Sequence, residues 1–230
     1  AFVDVVGRRA ALLGYEHRSF EAWVYPLKIL RDLRLDFAIA DYPIPLSGEE
    51  TLSYIEVRPE ATVLTYSHAA FTVRQLLYAP LNEPGLIMLF DVQTVRPLTI
   101  EVSFRPDLRL MWPAGLMTGY LGWNETGRYY TITEETHRFA GVIGSPLAQD
   151  VSVQPYQEEP KDLPNRFRLE VTPDLARKYY VPVVITGSIE GVEDALAVYR
   201  RLLTQAESYY RKNVAHYERL LEQALQLETP

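Results

Sequence analysis

The sequence predicts a mainly β fold, a large antiparallel two-sheet sandwich followed by a C-terminal helical segment. Three observations predict it. Residues 35 to 186 are a succession of short runs rich in β-branched and aromatic residues, each bounded by Pro, Gly, Asn or Asp, at the spacing of about 8–12 residues seen in sandwiches and barrels. Roughly twelve to fourteen such runs precede residue 187, nearly double the 7–9 strands of an immunoglobulin-type sandwich. From Val192 to Glu228 Pro and Gly vanish, and apolar residues recur at a helical period.

Taken in order, the chain enters directly into a strand at Phe2-Val3-Asp4. Run 35–40 alternates weakly, and run 51–57 alternates strictly, as a half-buried strand does. Runs 61–67, 70–78, 86–93 and 98–104 follow. Leu89-Phe90-Asp91-Val92 lies in a nearly continuous apolar stretch, the pattern of a strand at the centre of a sheet. The later runs are 108–112, 129–134, 138–143, 151–154, 166–171 and 179–186. The 16 prolines favour strands and loops over helices in this region.

The pattern changes at Gly187-Ser188. Ser188 can cap a helix, and Glu190, Glu193 and Asp194 suit the positive end of its dipole. Val192, Ala195, Leu196, Tyr199, Leu202, Leu203, Ala206 and Tyr210 then form a stripe. A single helix over the whole stretch would be ~54 Å long, longer than a sandwich is thick. It is therefore expected either to break near Arg211-Lys212-Asn213 or to project at its far end. The apolar seam Leu220, Leu221, Leu225 and Leu227 needs a partner. Folding back across the sandwich and leading into a further domain both supply one. The organisation expected is a sandwich over 1–187 and a helical connector over 188–230.

Composition excludes several function classes. The formal charge is −7 with no basic stripe, which argues against nucleic acid as a partner. No apolar run is long enough to span a membrane. There are no cysteines, so disulfides and thiolate chemistry are out. His17, His68, His137 and His216 are widely separated, without metal-ligand spacing. No nucleophile elbow, P-loop or dinucleotide fingerprint is present, and no cofactor is expected. The start lacks a signal-peptide pattern, which with the absence of Cys favours a cytoplasmic setting. The ends, Ala1-Phe2 and Glu228-Thr229-Pro230, read as those of a piece cut from a longer protein. A complete protein that has lost its Met is the other reading.

Chemistry-bearing candidates are few. Glu21, Asp91 and Glu125 sit among apolar or aromatic residues, but for each a buried carboxylate paired with Arg is the expectation ahead of catalysis. The aromatics say more. All three Trp fall in two segments, Phe20-Glu21-Ala22-Trp23-Val24-Tyr25-Pro26 and Met111 to Glu125, the second punctuated by Gly. Aromatic faces stack on the C–H faces of sugars, and neighbouring Asn and Glu can bond hydroxyls, although Trp is also an ordinary core residue. The candidates for substrate or interdomain contact are Trp23, Tyr25, Trp112, Trp123, Asn124 and Glu125. Asn124-Glu125-Thr126 also fits a glycosylation sequon.

Ser19-Phe20-Glu21-Ala22-Trp23-Val24-Tyr25-Pro26-Leu27-Lys28-Ile29-Leu30 resembles the N-terminal β-sandwich domain of bacterial glycogen-debranching-type (amylo-α-1,6-glucosidase-like) glycoside hydrolases. Gly7-Arg8-Arg9-Ala10-Ala11-Leu12-Leu13-Gly14 and Trp112-Pro113-Ala114-Gly115 add to the likeness. Where that family often carries an Asn-Glu-x-Gly-like stretch, this chain reads Tyr15-Glu16-His17-Arg18. The resemblance implies a supersandwich joined by linker helices to an (α/α)6 barrel, with both catalytic carboxylates in the barrel. The sandwich would buttress the barrel and can lend a loop to its pocket. It implies no catalytic residue on this chain, which alone would be inactive, and the barrel and α-glucan as partners. An independent carbohydrate-binding module, a stand-alone sugar enzyme and a purely structural domain are the alternatives.

Overall fold

The computed structural model describes residues 2–15, 19–113, 115, 119–152 and 163–224. In chain order the strands are β1 (Phe2–Val6), β2 (Ala10–Tyr15), β3 (Phe20–Val24), β4 (Leu27–Ile39), β5 (Leu46–Ser47), β6 (Leu52–Val57), β7 (Thr62–His68), β8 (Phe71–Tyr78), β9 (Gly85–Thr94), β10 (Leu98–Leu110), β11 (Tyr120–Asn124), β12 (Tyr129–Thr133), β13 (Ala140–Gly144), β14 (Ala148–Gln149), β15 (Asn165–Val171) and β16 (Val181–Ser188). The helices are α1 (Gly48–Thr51), α2 (Pro173–Ala176), α3 (Val192–Thr204) and α4 (Ala206–Gln223).

The strands form two antiparallel sheets. The first runs β1-β2-β3-β4-β10-β15-β14 with β5 also paired to β4, and the second runs β11-β12-β13-β16-β9-β8-β7-β6. The predicted sandwich is therefore observed, and the apolar strand β9 lies inside its sheet, between β16 and β8. Alternation builds the core. On β3, Phe20, Ala22 and Val24 are buried while Glu21 and Trp23 face outward. Phe37, Phe90, Phe104 and Phe167 all lie in the core between the sheets.

Runs 98–104 and 108–112, read separately in the sequence, are largely the one 13-residue strand β10. Its register with β4 shifts between Pro106 and Arg109, and a bulge is where a strand tolerates a residue without an N–H donor. Run 35–40 is largely the second half of β4, whose first half follows directly on the aromatic segment Phe20–Pro26. Of run 151–154, residues 153–154 lie outside the described residues, and Val151 and Ser152 are not in a strand.

The helical stripe packs on the outer face of the second sheet. Ala195, Leu196, Val198, Tyr199 and Leu202 of α3 bury against Ile87, Leu89, Val142 and Val184, giving a third layer. The helix breaks at Gln205, not near Arg211-Lys212-Asn213. The polar triplet contains an anchor rather than a stop. Asn213 is buried and donates from Nδ2 to the carbonyls of Ala79 (2.9 Å) and Glu60 (3.4 Å). At the break, the Tyr78 hydroxyl donates to the Ala206 carbonyl (2.7 Å). Glu83 then ties both helices down, accepting from Arg201 (2.5 Å) and from the Tyr209 hydroxyl (2.9 Å). Ser188 is not the helix cap either. Gly191 holds that position at φ 107, in the region that favours glycine. Ser188 instead donates to Asp194 Oδ2 (2.7 Å) and braces the first turn. The last turns of α4 carry Leu220 and Leu221 at 46% and 58% exposure, while Leu225 and Leu227 lie outside the described residues.

Tyr199 is buried under α3 with its hydroxyl unpartnered among the described residues, and burial pushes that phenol well up. Tyr199→Phe removes an unpaired hydroxyl at little change of shape. It is expected to leave the unfolding free energy unchanged or raise it by up to about 1 kcal/mol. A loss above about 1 kcal/mol in urea unfolding would show that the hydroxyl has a partner.

Candidate functional site

The fold brings three of the predicted residues to one end of the first sheet. Trp23 pairs with Lys28 across the β3–β4 hairpin, and Leu27 pairs with Leu110 on the other side of β4. The Met111 N–H donates to the Pro26 carbonyl (2.7 Å), so the chain leaves β10 beside Tyr25-Pro26. Both Tyr25-Pro26 and Trp112-Pro113 are cis. Trp112 is 84% exposed. Trp23 is half-buried on the outer face, its Nε1 donating to Glu21 Oε1 (2.8 Å) and Lys28 Nζ lying 5.6 Å from its ring centre. Tyr25 is half-buried, and burial pushes its phenol up.

Trp123, Asn124 and Glu125 are elsewhere. The sequence treats 111–125 as one Gly-punctuated loop, but Tyr120–Asn124 is a strand at the edge of the second sheet. Its first residue pairs with Thr133 and thus lies at the end where Gly187 abuts Val24. Asn124 is four residues further, ~14 Å along the strand, at the β11–β12 turn. Trp123 packs on Tyr130 (ring centres 4.9 Å) and donates to Glu125 Oε2 (2.6 Å). Asn124 accepts from the Gly127 N–H (2.7 Å) and closes the turn.

The three singled-out carboxylates do not converge. Glu21 pairs with Lys28 and Trp23, Asp91 lies 3.7 Å from Arg74, and Glu125 holds Trp123. No two of these flank a common space as a glycosidase pair must. Among the described residues no group of three or more potential metal ligands comes together. No described helix is long and apolar enough to cross a membrane.

The outer face of the first sheet carries a charge lattice that sequence reasoning missed. Asp107 is 1% exposed although it points outward. It accepts from Arg109 Nε (2.5 Å) and lies 3.3 Å from Lys28 Nζ and 3.7 Å from Arg31 Nε. Lys28 also pairs with Glu21, and Asp32 joins Arg31 (2.8 Å) to Arg105 (3.3 Å). Further across, Glu101 accepts from Arg166 (3.1 Å) and Arg168 (2.8 Å). The long cationic side chains cover the acid with their stems. The signal in the sequence is an alternation of charge on neighbouring strands, which is readable only once the pairing is known.

A second buried acid anchors the β12–β13 turn. Glu134 accepts from the N–H of Thr136 (2.6 Å), Arg138 (2.7 Å) and Phe139 (3.1 Å) and from the Thr136 hydroxyl (2.8 Å). Burial pushes its carboxyl up, but these donors outweigh it and hold the carboxyl below its ordinary 4.5. A depressed carboxyl stabilises the fold fully above the unfolded value, and that contribution is lost as pH falls through the folded one. Glu134→Gln places an amide N–H against a backbone donor and is expected to cost about 1–3 kcal/mol at pH 7. The deficit should shrink on acidification below 4.5. A deficit that stays constant down to pH 3 in thermal melts would sink this assignment.

No family model matches the sequence, and no curated protein matches it. Solved structures do share its fold. A bacterial glucoamylase complexed with acarbose matches with TM-score 0.66 at 8% identity, over 93% of this chain and 36% of that one. An alpha-N-acetylgalactosaminidase from Bifidobacterium bifidum in complex with GalNAc matches with TM-score 0.52 at 10% identity, over 89% and 39%. The chain spans little more than a third of the length of either structure. At these identities the likeness is one of fold.

Proposed function

We propose that this chain is a non-catalytic domain of an α-glucan-acting glycoside hydrolase, buttressing a catalytic barrel in the same protein. The observation that carries the reading is the fold match, which takes in nearly all of this chain but little more than a third of a glucoamylase. The local chemistry agrees. The three weighed carboxylates are each spent on a structural partner, while Trp112 and the last turns of α4 offer apolar surface to a neighbour. In this reading residues 188–230 are the connector, and the end formed by Trp23, Tyr25 and Trp112 faces the barrel or the rim of its pocket. Glycogen debranching is the finer reading that the 19–30 segment supports.

The test is turnover. The 230-residue chain is expected to release no glucose from maltooligosaccharides or branched glucan. Release would overturn the non-catalytic assignment. In the intact gene product, Trp112→Ala is expected to lower the melting temperature of the assembly while leaving that of this chain alone unchanged. The exposed Trp112, and the edge-to-face Phe2–Tyr15 pair (5.6 Å) beside a cleft lined by Glu21, Lys28 and Asp32, favour an independent carbohydrate-binding module as the second reading. Saturable binding of maltotriose by the chain alone, lost in Trp112→Ala or Tyr15→Ala, would select it.

A further inference from the structure

The space between the two sheets is mostly apolar, and one of its polar exceptions lies on β8. Along β8 the inward row reads Phe71, Val73, Gln75, Leu77, and Gln75 is 3% exposed. Beside it on β7, Tyr66 is 5% exposed. The Tyr66 hydroxyl donates to Gln75 Oε1 (2.9 Å), and the acceptor that the Gln75 amide reaches is Met88 Sδ (3.3 Å). A thioether is a weak acceptor, and an underpaired amide in a core is destabilising. The Tyr66 ring packs on Phe37 (ring centres 5.1 Å), and both residues of the pair also line open space. A cavity of about 410 Å³ reaches the pair from the surface.

The entrance is a gap in the first sheet. β3 and β5 both pair with the edge of β4 opposite β10. β3 pairs as far as Leu33 and β5 from Asp36, so Arg34 and Leu35 have no strand partner on that edge, where Gly48 of α1 packs closely on the Leu35 carbonyl. Phe20 and Leu64 form walls, and Arg34, Asp36 and Glu49 stand at the mouth.

We propose that this cavity binds a small neutral ring carrying several hydroxyls, of monosaccharide size. The floor sets the first requirement. The Tyr66 hydrogen is used on Gln75, which leaves its oxygen as an acceptor and the Gln75 N–H as a donor. The complement of an adjacent acceptor and donor is a hydroxyl, which both gives and takes a hydrogen bond. The mouth sets the second, since charges of both signs can bond further hydroxyls without selecting a net charge on the ligand. The walls set the third, since Phe20 and Leu64 suit the C–H faces of a ring. The volume is at the lower end of the ~300–1,000 Å³ typical of small-molecule sites, which limits the occupant to a single ring. The site is separate from the Trp112 end and does not rest on the docking reading above.

The test is a titration of the 230-residue chain with D-glucose, D-galactose and myo-inositol, with cyclohexanol as the ring bearing one hydroxyl. The readout is the Gln75 side-chain amide in ¹H–¹⁵N spectra, assigned by its absence from Gln75→Leu. At least one polyol is expected to move it saturably in the millimolar range. Gln75→Leu, read on neighbouring backbone amides, is expected to weaken that binding by about tenfold, the loss of one or two uncharged hydrogen bonds. Leu52→Trp, at the half-exposed edge of the cavity, is expected to block it with the fold intact. Trp112→Ala should leave it unchanged. The proposal is overturned by the absence of a saturable shift with all three polyols, by unchanged affinity in both cavity variants, or by cyclohexanol binding as tightly as the polyols.

Discussion

Asp107→Ala is expected to lower the unfolding free energy by about 3–5 kcal/mol, the range for removing one partner of a buried ion pair. The reason is the asymmetry of its surroundings. Asp107 is fully covered, and its three neighbours Lys28, Arg31 and Arg109 are cations. Removing the acid leaves those charges close together with Glu21 and Asp32 as the remaining counter-charges named in the lattice. Lys28 is the most affected, since its side chain is 13% exposed and it cannot turn to water without uncovering Trp23. Replacing both Asp107 and Lys28, as Asp107→Leu with Lys28→Met, removes acid and cation together. That double variant is expected to recover most of the loss, because an apolar pair of similar volume often matches a buried ion pair. The double-mutant cycle isolates the coupling. A coupling energy below about 0.5 kcal/mol would mean that the lattice is solvated surface, and the cause of any Asp107→Ala loss would then be backbone change at the bulge.

That lattice shows why some of the site was not legible in the sequence. Local pattern was enough for β8 and β15, where the buried residues repeat every second position, and for β9, whose two buried faces give a nearly continuous apolar run. It failed for β10 because Pro106 and the bulge interrupt the period. The helix break was misplaced for a similar reason. Gln205 carries no Gly or Pro signal, and Arg211-Lys212-Asn213 looks like a polar stop, although Asn213 is held by strand-end carbonyls far away in the chain. The convergence of Trp23, Tyr25 and Trp112 likewise depends on β4 pairing with β3 on one edge and β10 on the other. Aromatic clustering in the sequence identified the segments. It could not separate Trp112 from Trp123, which lie close in sequence but on different sheets. Gln75 drew no expectation from the sequence, because one amide in the otherwise apolar inward row of β8 has a meaning only beside the cavity.

Phe104→Ala is expected to cost about 3–5 kcal/mol, or roughly 10 °C in melting temperature for a chain of this length. Phe104 is 1% exposed and meets Tyr130 edge-on (5.5 Å), and Tyr130 in turn carries Trp123 (4.9 Å). The row runs from the first sheet through the interior to the β11–β12 turn. The Tyr130 hydroxyl donates to the carbonyl of Arg166 (3.0 Å), on the strand beside Phe104 in the first sheet, which fixes its ring. Truncation therefore leaves a cavity that Tyr130 cannot fill without breaking that bond, so the site collapses poorly and the cost falls at the upper end. Phe104→Leu keeps most of the volume and should cost less than about 1.5 kcal/mol. The three tryptophans report where the damage goes. In Phe104→Ala the indole N–H resonance of Trp123 should move, because its ring rests on Tyr130. The resonance of Trp23, held by Glu21 on the outer face of the first sheet, should not. A loss below about 1.5 kcal/mol would mean that the sheets close over the gap. Equal movement of both resonances would mean that the two aromatic groups are coupled through the core, so that substitutions at one could not be read as local.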